Sequence, residues 1–228
     1  MNLIRLQTVD STNEYLKKGA FPDGTVVFSD EQTAGKGSNG RSFLSPSGGI
    51  YFSILFSEPK QDVLPYITPV AAVAVRRALA SVFNARPEIK WVNDLYLSGK
   101  KICGILCENV SSGVIIGIGV NVSRPKEGFP PELRDIAGYV SEKSPTEEEK
   151  LTFVQTVSET FFSLLSLPHS VLAKEYRSHS FVIGKKAVLT RGDETFCGVV
   201  KDIDEEFRLI LTTEKGDETF FSGTLRLI

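Results

Sequence analysis

The chain immediately after the longest glycine-rich run limits this fold more than any other feature. Residues 35–42, Gly-Lys-Gly-Ser-Asn-Gly-Arg-Ser, match the phosphate-loop pattern G-x-x-x-x-G-K-[ST] with one deviation, Arg41 in place of the lysine. A phosphate loop must open a helix, because the helix N-terminal amides hold the phosphates. Here the chain runs on through Pro46, Gly48 and Gly49 into the apolar stretch GIYFSILF, residues 49–56, which predicts a buried strand. The Walker reading fails on that context. The run is instead a long loop, residues 31–49, between the strand TVVFS at 25–29 and the strand at 49–56. Such length favours a working lid over a passive connector. Residue types alone leave a lid and a mobile surface loop level.

Upstream, LIRLQTV alternates as a strand, and DSTNEYLKKG reads as a helix with Ser11 as N-cap, Glu14 closing a capping box and Gly19 at its stop. Residues 66–83 place Ile67, Val70, Ala71, Ala74, Ala78, Leu79 and Val82 on one helical face, with Arg76 and Arg77 off it. A β-meander comes next: EIKWV, then LYL turning through Ser98-Gly99 into KICGILCE, then GVIIGIGVNV. Residues 124–145 are irregular, with prolines at 125, 130, 131 and 145. Thr146 and Glu149 form a capping box opening a helix striped by Leu151, Val154, Val157, Phe161, Leu164 and Leu165, and a short helix spans 170–177. From Phe181 five short strands with polar turns predict a small SH3-like β-barrel. The fold class is α+β: a central mixed or antiparallel sheet flanked by helices over residues 1–180, and the barrel over 181–228.

At 228 residues the chain can bury one substantial core with a small appendage. Its 26 Lys and Arg against 28 Asp and Glu, a formal charge of −2, argue against a dedicated nucleic-acid binder. No leader-like start and no run approaching about 20 apolar residues are found, which predicts a cytoplasmic protein without a membrane partner. Three cysteines make no disulfide framework and suit a reducing compartment. On one strand face Cys103 and Cys107 lie about 13 Å apart at ~3.3 Å per residue, too far to share one zinc.

The motifs that could carry chemistry are individually weak. KWVND, residues 90–94, sets Lys90, Trp91, Asn93 and Asp94 at a strand end, as ordinary turn chemistry or as a polar, metal-capable tip. Lys101 could snorkel to solvent or stabilise charge on a reacting phosphate. GIGVN, residues 117–121, lacks the third glycine of a dinucleotide fingerprint, though Asn121 remains a plausible hydrogen-bonder. His169 and His179 are the only histidines and sit in no ligand pattern; no G-x-S-x-G elbow occurs, and Glu205-Glu206 falls on a turn.

Taken in order, DSTN (10–13), QTAGKGSNGR (32–41), SPSGGIYFS (45–53), KWVND (90–94), KKICGILCE (100–108) and GIGVN (117–121) resemble the biotin protein ligases, and the resemblance spans essentially the whole chain. It implies a class II synthetase-like catalytic fold with an SH3-like tail. It also implies an enzyme that uses Mg2+ and ATP to make biotinyl-5'-AMP, then moves biotin to one lysine of a biotin carboxyl carrier protein. Such chemistry rests on positioning and electrostatics more than on a protein nucleophile. Carried over by motif, Ser11, Thr12, Asn13 and Gln32 meet the ureido head of biotin. Gly35, Lys36, Gly37 and Ser38 lie along the carboxylate and phosphate in the closing loop, and Lys36, Arg41 and Lys101 supply catalytic charge. Lys101 meets the biotin carboxyl and α-phosphate, and Gly104 permits close approach. Asn93, Asp94 and Asn121 serve nucleotide or metal, with Asp94 the Mg2+ candidate.

This chain departs from the family in places. The best-known family loop reads Gly-Arg-Gly-Arg-Arg-Gly-Arg, whereas here Lys36 keeps charge without the planar fork and Ser38 carries none. Phe43 stands where a tryptophan commonly faces adenine, and Val92 replaces a usual proline, which is expected only to relax a turn. The first strand begins at Leu3, directly ahead of DSTN, which predicts a ligase without a helix-turn-helix or repressor role. The rivals are a lipoate or octanoate ligase on a related fold, and a non-enzymatic binding module that uses the barrel. A homodimer is left open.

Overall fold

The structure, a computed structural model, describes residues 2–228. Twelve strands and four α-helices succeed one another as β1 (Asn2–Val9), α1 (Thr12–Lys17), β2 (Thr25–Gln32), β3 (Ile50–Phe56), α2 (Ile67–Phe83), β4 (Glu88–Lys90), β5 (Asp94–Leu97), β6 (Lys100–Val110), β7 (Gly113–Val120), α3 (Glu147–Leu164), α4 (His169–Ser178), β8 (Lys186–Arg191), β9 (Glu194–Ile203), β10 (Leu209–Thr213), β11 (Gly216–Phe220) and β12 (Thr224–Leu227). The first seven strands form one sheet in the order β1-β2-β3-β7-β6-β5-β4. β1 and β2 run parallel and every other neighbouring pair is antiparallel, so the sheet is mixed.

Strand alternation divides that sheet into two unlike faces. Phe28, Ile50, Phe52, Ile54, Ile116, Ile118 and Val120 point to one face, where they join α2 and α3 in the main core. The opposite face packs Val27, Leu55 and Ile115 against Leu16 of α1 in a smaller cluster. Between Leu55 and Tyr51 of β3 that second face narrows to small residues: Ser29 on β2, Ser53 on β3, Gly104 on β6, and Gly117 and Gly119 on β7. β7 makes the division plain, because its even positions are all Val or Ile and its odd ones are glycine except Ile115, which meets α1.

α2 is buried almost all round over its first turns, from Ile67 to Val75, rather than along one stripe. With the 3-10 turn before it, Leu64–Phe83 reaches a mean hydropathy of 1.3 over 20 residues, so one apolar helical stretch does attain bilayer-spanning length. More than half of it is buried within the protein, as a central helix between sheet and α3 requires. α2 stops at Asn84, whose left-handed conformation (φ 50°) suits an asparagine at a helix end. α3 opens on the expected capping box, with Glu149 N donating to Thr146 Oγ1 at 3.2 Å and Thr146 N to Glu149 Oε2 at 2.7 Å.

The box expected at α1 is not formed. The Ser11 side chain caps nothing, and Glu14 turns outward to Lys17 and Lys36, each at 2.8 Å, because two ammonium groups hold a carboxylate more strongly than one backbone amide. α1 also ends at Lys17, short of Gly19. β2 extends three residues past the expected strand to Gln32, carrying that side chain to the N-terminus of α1.

The five C-terminal strands form an antiparallel sheet in the order β11-β10-β9-β8-β12, with no ladder joining β11 to β12. The expected barrel is therefore present as an open five-stranded sheet, without hydrogen-bonded closure. Its inner residues Ala187, Leu189, Val200, Leu209 and Leu225 belong to the same continuous core as α2. Trp91 Nε1 donates to Phe207 O across the junction at 2.9 Å, and Tyr176 on α4 lies edge-on to the Phe207 ring while donating to Val92 O at 3.0 Å.

Candidate active site

The site grows from the low-bulk face of the large sheet. At one end the start of α1 buries Ser11, Thr12 and Asn13, each 3 % exposed. Thr12 N donates to Gln32 Oε1 at 2.9 Å, the Thr12 hydroxyl oxygen lies 3.1 Å from the same Oε1, and Gln32 Nε2 donates to Ser45 Oγ at 2.9 Å. Asn13 Nδ2 donates to Glu108 Oε2 at 2.7 Å, and Ser53 Oγ lies 2.6 Å from Thr12 Oγ1 and 2.5 Å from Asn13 Oδ1. A side chain on Gly117 would put Cβ 2.3 Å from Asn13 Oδ1, so only glycine lets the amide lie flat on the sheet.

The glycine-rich loop crosses this face. Gly35 has Phe43 O where a Cβ would sit, at 2.4 Å, and Phe43 N donates to Gly35 O at 2.8 Å, closing the loop on itself. Its tip turns through Asn39 (φ 58°) and Gly40 (φ 71°), with Gly37 N donating to Arg41 O at 2.7 Å. Arg41 donates to Ser38 O from Nε (3.1 Å) and to Ser38 Oγ from Nη2 (3.2 Å). The Phe43 ring then rests on the glycine pair of β6 and β7: built Cβ atoms at Gly104 and Gly119 would lie 3.0 and 2.5 Å from it.

Beyond that ring lies Lys101, and a β-bulge puts it there. Leu95 pairs with Cys103 but Tyr96 with Lys101, so β6 carries one extra residue at Ile102. A regular strand would send Lys101 to the core face with Cys103; the bulge re-aims it to the face of Gly104. Its Nζ sits 2.6 Å from Asp94 Oδ1 and 6.0 Å from the Phe43 ring centre. That contact lies off the hydrogen-bonding direction, leaving Asp94 Oδ1 buried in an ion contact without a directed hydrogen bond. Burial, with Lys101 and Arg41 nearby, holds the Lys90 ammonium below its ordinary pKa, against the opposing pull of Asp94.

These groups border a cavity of about 590 Å³ between the two sheets, walled also by Phe129, Leu133 and Ile136 from the irregular segment and by Arg191 and Thr224 from the C-terminal sheet. Its charged wall residues are Lys90, Lys101, Arg41 and Arg191 against Asp94, so it favours an anion. Asn39 Nδ2 donates to Thr224 Oγ1 at 3.1 Å, tying the loop tip to the far wall.

The candidate residues thus fall into two groups. Ser38, Arg41, Phe43, Asn93, Asp94, Lys101 and Asn121 border the cavity with Gly37, while Ser11, Thr12, Asn13 and Gln32 form the buried polar cluster, joined to it over Gly104. Lys36 joins neither, because its ammonium is drawn to Glu14. The Asn93 and Asn121 amides are spent on backbone, donating to Ile105 O (2.8 Å) and Gly138 O (3.1 Å). Val92 follows a cis peptide. Ser53 and Glu108 each end a motif that assigns them no role, and Arg191 and Thr224 lie outside every motif. Alternation of β3 with Tyr51 and Leu55 could have flagged Ser53, but nothing local marks the C-terminal residues.

Fold and site together define an α+β protein with a glycine-floored slot that leads from a buried hydrogen-bonding cluster to a cationic pocket, dimensions suited to a small organic acid beside a nucleotide. Residues 4–122 match the model of the Biotin/lipoate A/B protein ligase family, and the chain belongs to that family. Among curated relatives, the bifunctional ligase/repressor BirA of Bacillus spizizenii is 31% identical over 97% of this chain and 72% of its own. The biotin--[acetyl-CoA-carboxylase] ligase of Paracoccus denitrificans is 30% identical over 96% of this chain and 100% of its own. Among solved structures, the biotin protein ligase from Aquifex aeolicus in complex with biotin and ATP superposes with a TM-score of 0.88 at 29% identity, covering 100% of this chain and 98% of that one.

Proposed function

We propose that the protein is an ATP-dependent biotin ligase that activates biotin as biotinyl-5'-AMP and passes the biotinyl group to a lysine of a biotin carboxyl carrier protein. The observation that carries the reading is Lys101, re-aimed by the bulge to the junction of the glycine-floored slot and the cationic cavity. An acid whose head sits among Thr12, Asn13 and Gln32 and whose chain crosses Gly119 and Gly104 delivers its carboxylate there. The Phe43 ring now covering those glycines moves aside for it.

The carboxylate attacks the α-phosphorus, the bond to the bridging oxygen breaks and pyrophosphate leaves. Lys101 holds the carboxylate and α-phosphate together, lowering their repulsion and the charge that builds on the phosphoryl oxygens. In the second step the carrier lysine, as free amine, attacks the acyl carbon, loses a proton and expels AMP. The wall supplies the positive charge this chemistry needs, and neither step calls on a protein nucleophile. Lys36 would reach the carboxylate only after leaving Glu14.

Magnesium fits in one way. Among the described residues no three His, Cys, Asp or Glu side chains converge on a metal position. A single wall carboxylate, Asp94, with its poorly satisfied Oδ1, suits an ion held mainly by substrate phosphates. Held so, the ion would neutralise triphosphate charge.

ATP–pyrophosphate exchange with biotin, lipoate or octanoate as the acid tests the reading. Exchange with biotin alone is expected. Exchange with lipoate or octanoate would move the protein to the other branch of its family, and exchange with none would make it a binding module.

A further inference from the structure

We propose that Ser53 is a positioning residue that fixes the Thr12 hydroxyl as a hydrogen-bond acceptor, so that the site reads an N–H of the acid's head group at that point. This role rests on the biotin reading above. Ser53 is fully buried on β3 and ends the SPSGGIYFS motif, which gives it no role at the acid site.

The protons of the cluster can be counted. Asn13 must present Oδ1 to Ser53, because its Nδ2 faces acceptors only, Glu108 Oε2 at 2.7 Å and Leu106 O at 3.4 Å. Gln32 must present Oε1 to Thr12, because that oxygen takes the Thr12 amide proton at 2.9 Å while Nε2 donates to Ser45. Four oxygens therefore lie in a row, Asn13 Oδ1, Ser53 Oγ, Thr12 Oγ1 and Gln32 Oε1, with links of 2.5, 2.6 and 3.1 Å. The two end oxygens carry no proton, so two hydroxyl protons serve three links.

One link must go without. The two short ones cannot, since unprotonated oxygens repel at 2.5–2.6 Å. The 3.1 Å link can, because Gln32 Oε1 keeps the Thr12 amide proton. Ser53 then gives its proton to Asn13 Oδ1 and takes that of Thr12. Thr12 is left with lone pairs for an incoming ligand, and a ureido N–H completes it while a ring oxygen repels it. Without the Ser53 oxygen the Thr12 hydroxyl can turn, accepting from an N–H or donating to a ring oxygen.

The test compares biotin with its two cyclic carbamate analogues, each with one ureido N–H replaced by oxygen, in acid-dependent ATP–pyrophosphate exchange by wild type and Ser53→Ala. Wild type is expected to lose roughly 10- to 100-fold in kcat/KM with one analogue, the cost of an unpaired buried polar group. In Ser53→Ala that ratio should shrink by about tenfold or more while the KM for ATP stays unchanged. A purely structural role would raise the KM for biotin and analogues alike, leaving the ratio unaltered, and that result overturns the proposal. Should Ser53→Ala fail to fold, Ser53→Cys, similar in shape and a poor acceptor for the Thr12 proton, gives the same comparison. Absence of biotin-dependent exchange in wild type would instead overturn the functional reading, and this proposal with it.

Discussion

Replacing Lys101 by glutamine leaves the Asp94 carboxylate, 18 % exposed, without its cation at 2.6 Å and takes the positive charge from the point where acid and phosphate meet. Adenylate formation should fall roughly 10²- to 10³-fold, as when a preorganised charge-stabilising group is lost. Arginine should not restore it, because a planar fork does not replace a point charge on the bulged strand. Pyrophosphate exchange, with thermal melting as the control for folding, checks both. Ser38 offers a separate experiment. It anchors Arg41 at the loop tip but brings no charge, so the loop should hold a reactive adenylate loosely and release some to bystander lysines. Labelling of an unrelated protein should drop several-fold in Ser38→Arg; equal labelling by both proteins would contradict this.

Among the elements, β7 does most to shape the slot, and its glycines are space requirements. A methyl at Gly119 would stand 2.5 Å from the Phe43 ring, which can move, so Gly119→Ala should fold yet raise the KM for the acid with little change in that for ATP. On the other face Arg77 of α2 pairs with Glu175 of α4 at 2.5 Å and holds that carboxyl below its ordinary value. The lowered pKa means that this pair adds stability above the unfolded carboxylate range, near 4.5, and loses it as pH falls through the folded value. Urea midpoints of wild type and Glu175→Gln should therefore differ at neutral pH and converge in acid. Much of this is legible in the sequence. The alternation in GVIIGIGV, the capping box at Thr146 and the strand after Gly49 each come from local periodicity or turn chemistry. The box expected at α1 fails because Glu14 is claimed by Lys36, a residue 22 positions away, and no local pattern records that competition. Nor does periodicity reveal the bulge at Ile102, which alone decides the face on which Lys101 emerges.

At the scale of the molecule the two sheets share one core and one cavity, so the C-terminal strands are part of the site's wall and not an appendage. The Trp91–Phe207 bond crosses that junction. Trp91→Phe leaves Phe207 O without its buried donor and should cost about 1–3 kcal/mol in denaturant unfolding. It should also weaken ATP binding more than acid binding, since the nucleotide pocket is the part that both sheets enclose. These long-range features are the least legible, because a pocket built from residues 37–44, 90–107, 121–137 and 190–225, with Thr68, has no sequence signature of its own. In the proposed function this pocket joins biotin to a protein lysine at the expense of ATP. The most direct measurement is the intact mass of a biotin carboxyl carrier domain incubated with the protein, Mg-ATP and biotin, against the Lys101→Gln variant. One added biotinyl group on the carrier lysine is expected with wild type, dependent on both ATP and biotin, and almost none with the variant. An unmodified carrier with wild type, or equal modification by the variant, would contradict that reading.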